Sequence, residues 1–444
     1  MPKLPCALPA PAVGWPLLRM QGSFFLLNIG TRCSHLAIAW WTLEQTGSMH
    51  RFAWMMAGAT AAEALSKPLL GWMGDAYSKT RIVQHCNVIG VVAAVCTLWL
   101  ATRAVFHPLP LTLLMMLSAA LVGLRDPIQA SLIPEFVPPA RVMKAVRTKA
   151  VLWSIALVLG PAIAGVLLSW AGVRAALLAD VTLLAGAALL ALSVGPVRVN
   201  QESEAAPVAD ARRRLLVRGT RADFRTVYRI QMERYLALMT AMFNFAFAPF
   251  FAVLVPFYVK DVMHFPAWYA GLVDACFGVG VLLGSRVAPS PKSPRLPRDR
   301  VIMLGFMMVG VNIIALGLKL PAPILPAFFL FGGAGLVWIR MNTGIVRTLA
   351  TPAHFRNRMM ATVYFVAECG GAAGNACIGP AIALMGVFPT AIVAGTYVVL
   401  LACLLRRVPN IRLFMRMSDD VLEGTYAKVY PRAFDAAEPP GQGG

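Results

Sequence analysis

The sequence predicts an all-α polytopic membrane protein: twelve transmembrane helices arranged as two six-helix halves. Three observations carry this. Of the 444 residues, 58% are hydrophobic and 14% charged, where soluble domains carry about a quarter charged residues. Apolar stretches of roughly 20 residues, the length that crosses a bilayer as a helix, recur along the whole chain. The basic residues fall mainly in alternate loops, as they do in multi-spanning proteins whose basic loops stay in the cytoplasm. Strands are excluded, because open sheet edges cannot sit in lipid and a barrel would show short alternating segments.

Residues 1–16 are Pro-rich. The first apolar run, 17–41, is too long for a signal-peptide core and lacks a small-residue cleavage site, so it reads as a retained helix 1. Helices 2 to 6 follow at 52–73, 81–102, 110–134, 148–170 and 174–195. Helices 7 to 12 follow at 235–258, 267–287, 301–319, 324–347, 359–385 and 387–406. Between the halves, 196–233 is charged, contains Arg212, Arg213 and Arg214, and reads as a basic linker with a lipid-touching surface helix around Arg212–Arg229. The expected organisation is a first half at 1–195, a linker at 196–233, a second half at 234–408 and a tail at 409–444. The tail has one short amphipathic piece (Ile411, Phe414, Met415), and its last ten residues are expected to be disordered.

Charge sets the expected topology. One set of loops holds Lys79 and Arg81, then Arg141, Lys144, Arg147 and Lys149, then Arg286, Lys292, Arg295, Arg298 and Arg300, then Arg356 and Arg358. The other set holds only Arg51, Arg103, Arg174, Lys260 and Lys319. Both termini are therefore expected in the cytoplasm and the protein in the cell membrane. The net charge of +20 does not indicate nucleic-acid binding, since the basic residues form no single patch. The eight cysteines make no C-x-x-C pair, which argues against a disulfide framework or a zinc site.

The halves echo each other. Ala120–Arg125 (ALVGLR) resembles Gly335–Arg340 (GLVWIR), and Gly160–Ala164 (GPAIA) recurs as Gly379–Ala383. Two matches at nearly one offset, in corresponding helices, indicate an internal duplication, the usual build of secondary transporters.

Gly71–Arg81 has the pattern G-x-x-x-D-x-x-x-K-x-R, with Asp75, Lys79 and Arg81 at the membrane edge. It resembles the loop after the second helix in the major facilitator superfamily of secondary transporters, with departures at Ala76, Ser78, Lys79 and Thr80. The likeness spans nearly the whole chain outside the linker and tail. It is carried further by Thr46-Gly47-Ser48, Leu132–Pro138, Val255–Val259, Gly278–Ser285 and Arg356–Met359. The branch it resembles most includes enterobactin-type siderophore exporters and macrolide efflux proteins. Gly160, Pro161 and Gly165 resemble the helix 5 motif of proton-coupled drug exporters, with Ala156 in place of its first glycine.

Ionisable residues inside a span cost roughly 2.5–3.5 kcal/mol each on insertion scales and are functional candidates. Helix 1 carries Asn28, Arg32 and His35 as one polar stripe. Helix 2 carries Glu63 and Lys67, in the order that favours an i,i+4 pair. Helix 4 carries Arg125 and Asp126, helix 6 Asp180, helix 7 Asn244, helix 8 Asp274, helix 10 Arg340 and helix 11 Glu368. Helices 1, 4, 7 and 10 line the central cavity in the family. The resemblance thus implies that Asn28, Arg32, His35, Arg125, Asn244 and Arg340 meet substrate; arginine forks bind carboxylate, phosphate, hydroxamate or catecholate groups. The alternative is that each arginine pairs with a neighbouring acid. Glu63, Glu368, Asp126 and Asp274 are the proton-carrier candidates, and Asp180 is expected to be a local hydrogen-bonding residue. Gly71, Asp75, Lys79 and Arg81 are expected to form a latch between the halves, with Asp75 at the amino end of helix 11.

No nucleophile elbow, Walker loop or metal-ligand spacing is present, so no enzymatic activity, cofactor or metal is expected. The expectation is a secondary active, proton-coupled exporter of a small amphipathic, anionic metabolite such as a siderophore. A macrolide-type or multidrug efflux pump is the second reading, and a non-transporting sensor or scaffold of the same fold is the third. The expected partners are the small-molecule substrate, protons and membrane lipids, with the protein acting as a monomer.

Overall fold

The computed structural model describes residues 14–70, 73, 77–103, 106–137, 139–195, 223–287, 297–352 and 355–434. Among these there are helices and turns and no strand. The helices are α1 (Trp15–Thr46), α2 (Met49–Leu70), α3 (Lys79–Ala101), α4 (Pro108–Ser131), α5 (139–171), α6 (173–192), α7 (Gln231–Val262), α8 (Ala267–Val287), α9 (Arg298–Gly317), α10 (Leu325–Ala350), α11 (Arg356–Met385) and α12 (Val387–Leu404). They match the twelve expected spans; α1, α5 and α7 run further than their apolar cores. Twelve crossings put both described ends on one side.

The turn between α5 and α6 is made by Gly172 (φ 77, ψ −177). The turn between α11 and α12 is made by Gly386 (φ 83, ψ 170). This backbone region is essentially glycine-only, and the same device sits at corresponding places in the two halves. Packing repeats too: α1 lies against α5, α2 against α4 and α3 against α6, as α7 lies against α11, α8 against α10 and α9 against α12. Two six-helix bundles result.

Small residues set the close approaches. Gly123 of α4 faces Ser66 and the Glu63 carbonyl of α2, Gly280 of α8 faces the Leu330 carbonyl of α10, and Gly374 of α11 faces the Phe245 carbonyl of α7. The bundles meet along α5–α8 and α2–α11. A Cβ on Gly165 would lie 3.0 Å from Gly271 Cα, and Ser169 Oγ accepts from the Trp268 backbone N–H at 2.7 Å.

Helix α7 carries π turns at Phe250–Leu254 and Tyr258–Val262. Pro249 lies just before the first and Pro256 between the two; proline removes a ladder donor and so favours such irregular turns. At this end Lys260 Nζ donates to the Trp40 carbonyl, 3.3 Å away on α1.

The tail extends the sequence reading. Ile411–Arg416 is helical with Ile411, Phe414 and Met415 buried, as its pattern predicts. Three further short helices follow, Asp419–Leu422, Thr425–Val429 and Pro431–Phe434. They dock on the second bundle at the end where the termini lie. The Gly424 N–H donates to the Leu349 carbonyl at 3.0 Å, Arg416 pairs with Asp299 at 3.3 Å, and Phe434 packs edge-on against Phe355. The last ten residues, and linker residues 196–222, lie outside the described residues.

Candidate functional site

Among the described residues, eight helical stretches, α5 and α6 forming one of them, are long and apolar enough to cross a membrane, and α1, α2 and α11 are not among them. These three helices carry polar residues into the interior. Lys67 and Glu63 lie one turn apart on α2, and the pair expected from their spacing forms at 3.1 Å. Lys67 Nζ also lies 3.8 Å from Glu368 Oε1 on α11. One ammonium therefore sits between carboxylates of opposite bundles, with Asp126 adding to its field. Further along the same crossing, Asn375 Nδ2 of α11 donates to Thr60 Oγ1 of α2 at 3.0 Å. Neither Thr60 nor Asn375 stands out in the sequence, because neutral polar residues are common in spans.

The three arginines have different surroundings. Arg32 of α1 packs against Gly160 of α5 and lies 5.7 Å from the Trp153 ring. Asp274 of α8 is its neighbouring opposite charge across the bundles, and Arg340 its neighbouring like charge. Arg32 Nε and Asp274 Oδ1 are buried without a hydrogen-bond partner among the described residues. Arg340 is exposed in mid-helix. Arg125 is buried and bonds Asp126 Oδ1 of its own helix through Nη2 at 3.0 Å and Nε at 3.3 Å. So Arg32 and Arg340 come together, while Arg125 holds a neighbouring acid. Asn28 and Asn244 each donate back to their own helix, to Phe24 O at 2.8 Å and Thr240 O at 2.9 Å.

Behind α1, inside the first bundle, lies a cavity of about 130 Å³. Its polar wall includes Ser34, His35, Glu63, Thr97, Arg125 and Asp180. His35 is exposed to this interior space. Asp180 has the Ser34 hydroxyl of α1 as its hydrogen-bonding neighbour, and its Oδ1 has no other partner among the described residues.

Of the expected latch, Gly71 and Asp75 lie outside the described residues. Lys79 does not reach the other bundle. It pairs at 2.6 Å with Glu135 of its own half. The Arg81 carbonyl lies 2.6 Å from His85 Nδ1, one turn on. Gly160, Pro161 and Gly165 do lie at contacts: Gly160 under Arg32, and Pro161 and Gly165 against Gly271 of α8.

A second buried cluster lies at the end of the second bundle where the tail docks. Arg347 Nε is 2.8 Å from Glu233 Oε2, and the Tyr426 hydroxyl donates to Glu233 Oε1 at 2.8 Å. Burial, together with Glu233, pushes the Tyr426 phenol well above its ordinary value. Nearby Asp223, just before α7, pairs with Arg358 at 3.0 Å. Burial raises its carboxyl to about 6 against the opposing pull of Arg358.

Two pseudo-symmetric helical bundles meeting along polar crossings define a class: a multi-pass membrane protein with a secondary-transporter scaffold. The chain belongs to the Major Facilitator Superfamily, whose model matches residues 22–374. Solved structures with the same fold include the nucleoside transporter NupG (TM-score 0.68, 12% identity, covering 89% of this chain and 100% of that one). A D-xylose–proton symporter matches with TM-score 0.70 and 13% identity over 89% of this chain and 98% of its own. A bacterial homologue of the human lysosomal transporter Spinster, inward-facing and occupied, matches with TM-score 0.67 and 14% identity over 90% and 98%. At such identities the likeness is one of fold. No curated protein matches the sequence. The family and fold are those of transporters, which carry small molecules and are generally not enzymes.

Proposed function

We propose that this chain is a proton-coupled secondary exporter of a small amphipathic metabolite bearing an anionic group, a siderophore being the leading candidate. The carrying observation is Lys67 held between Glu63 of one bundle and Glu368 of the other. Protonating either carboxylate removes a charge from the α2–α11 crossing, and a ligand or proton that favours one arrangement of the bundles shifts their populations. The anionic preference rests on Arg340, exposed in mid-helix beside Arg32, because a guanidinium fork suits planar or multi-oxygen anions. Asp274 and Asp126 serve as further proton carriers in this reading. The alternating basic loops support a cell-membrane protein with both termini and the 196–233 linker in the cytoplasm, and in this reading the protein acts as a monomer.

A drug or macrolide-type efflux pump is the second reading. It is favoured by the aromatic interior of the second bundle, where Phe247, Phe251 and Phe277 lie 4.3–6.0 Å apart.

The first test compares metabolites in medium and cells of wild-type and deletion strains, with and without iron limitation. A compound retained in the deletion strain only under iron limitation supports siderophore export. It should then move against an imposed pH gradient in vesicles holding the purified protein. An unchanged profile with altered drug susceptibility selects the second reading. Absence of any pH-driven flux in either setting returns the protein to a sensor or scaffold.

A further inference from the structure

The interface network leaves one buried acid unexplained. Asp180 is on α6, at the back of the first bundle, and is 5% exposed. Its Oδ1 packs so closely on α1 that a Cβ at Gly30 would lie 2.9 Å away. Ser34 is its neighbouring hydroxyl. That hydroxyl lies between the Asp180 carboxyl, which it hydrogen-bonds, and the Thr31 carbonyl at 3.1 Å; Oδ1 has no other partner among the described residues.

The groups facing Asp180 can be named helix by helix. From α1 come Cys33, Ser34 and His35, from α2 Glu63, from α3 Cys86 and from α4 Arg125. The cation of this set, Arg125, is bonded to Asp126. An ionised carboxylate partnered by a single neutral hydroxyl is strongly disfavoured in a span. No cluster of three acidic, His or Cys side chains that would hold a metal ion exists among the described residues. A proton would neutralise Asp180 without any counter-ion.

The chamber supplies the route. Its volume of about 130 Å³ exceeds by roughly tenfold the ~10–15 Å³ that one water requires on the same measure. Asp180, His35 and Glu63 all line it. Glu63 in turn shares Lys67 with Glu368 of the other bundle.

We infer that Asp180 is a second proton-carrying site, exchanging through this chamber with the carboxylates between the bundles. In the transfer, the Asp180 O–H bond breaks, a water chain relays the proton, and an O–H bond forms on Glu63. Negative charge moves from Glu63 to Asp180, and Lys67 loses one of its two counter-charges. Return of a proton from the chamber to Asp180 resets the site. This inference rests on the proton-coupled reading and names where the proton waits.

The test is infrared difference spectroscopy of the purified full-length protein in lipid, over a pH series, for wild type, Asp180→Asn, Ser34→Ala and Glu63→Gln. The expected result is a carboxylic C=O band in the wild type at neutral pH that is lost in Asp180→Asn. It should shift in D2O soon after mixing, move in frequency in Ser34→Ala and change its pH response in Glu63→Gln. A band of full intensity in Asp180→Asn overturns the assignment. So does an Asp180 band indifferent to D2O, pH and Glu63→Gln, which marks a sealed structural acid. If Asp180→Asn does not fold, the frequency shift in Ser34→Ala decides the assignment. The measurement needs no substrate, so a positive spectrum without pH-driven flux sinks the transporter reading alone. Flux without the band sinks Asp180 alone.

Discussion

In the first bundle, the space behind α1 is bounded by Ser34, His35, Glu63, Arg125 and Asp180. In the second, the space around α7 is filled by rings: Phe243 stacks on Phe247 at 5.0 Å, Phe251 meets Phe277 at 4.3 Å, and Phe250 lies 5.6 Å from Phe329. The second bundle keeps its buried ion pair near one end, where Glu233, Arg347 and Tyr426 close on one another. The space behind α1 in the first half is thus polar, while the space around α7 in the second is aromatic, and the second half brings its own span charges, Asp274, Arg340 and Glu368, to the side that faces the first. On the proposed reading, the charge that Lys67 shares across α2 and α11 handles protons, and the Glu233–Arg347–Tyr426 cluster holds the tail in place.

The sharpest way to break this comparison is Arg347→Ala. It leaves Glu233, which is fully buried, without its cation, and should cost about 3–5 kcal/mol in denaturation of the purified protein. The paired replacement Glu233→Leu with Arg347→Leu should recover much of that loss, because an apolar pair leaves no uncompensated charge. Next is Gly165→Val, which pushes a side chain into the α8 backbone at Ala267, Trp268 and Gly271. A cost of about 1–3 kcal/mol is expected from overpacking, with altered crosslinking between the bundles as the readout.

Tyr426→Phe removes one hydrogen bond to a buried carboxylate and should lower stability by about 1–3 kcal/mol. It should also raise protease sensitivity of the tail, since Tyr426 holds the docked segment to α7. Lys67→Ala should behave in the opposite way. Its partners Glu63 and Glu368 are about 30% exposed, so stability should change by less than about 1 kcal/mol while proton-driven transport is lost. Large destabilisation by Lys67→Ala with transport intact would reverse the roles assigned to the two clusters.

The smallest effect concerns pH. Asp223 has its carboxyl raised from 3.8 to about 6 by burial, so the folded state holds a proton that the unfolded chain has already released. Its contribution to stability is present below about pH 4 and is lost as pH rises through about 6. Asp223→Asn should flatten the stability profile across that window, measured by thermal unfolding.

Much of the fold was legible in the sequence because it is dictated by local chemistry. Span length follows from bilayer thickness, and repeated segments at one offset reported the duplication. The Glu63–Lys67 pair was legible for the same reason, since both residues lie on one helix a turn apart. Lys79 shows where this fails. Its loop pattern pointed towards the other bundle, yet Glu135 of its own half is the partner it meets. The tail was read as one amphipathic piece, because Leu422, Tyr426 and Phe434 are too sparse to mark the surface that buries them.

What the sequence by itself determined is twelve apolar spans, their alternating basic loops, their duplicated halves and a set of intramembrane charges. Each follows from transfer energies and short-range periodicity that act residue by residue. Only the tertiary structure decided which groups meet: Lys67 with Glu368, Arg32 near Asp274 and Arg340, Tyr426 with Glu233, and Asp180 with Ser34. Those outcomes depend on which helix faces pack together, and that is set by close contacts such as Gly165 on Gly271 between segments about a hundred residues apart, which no local pattern encodes.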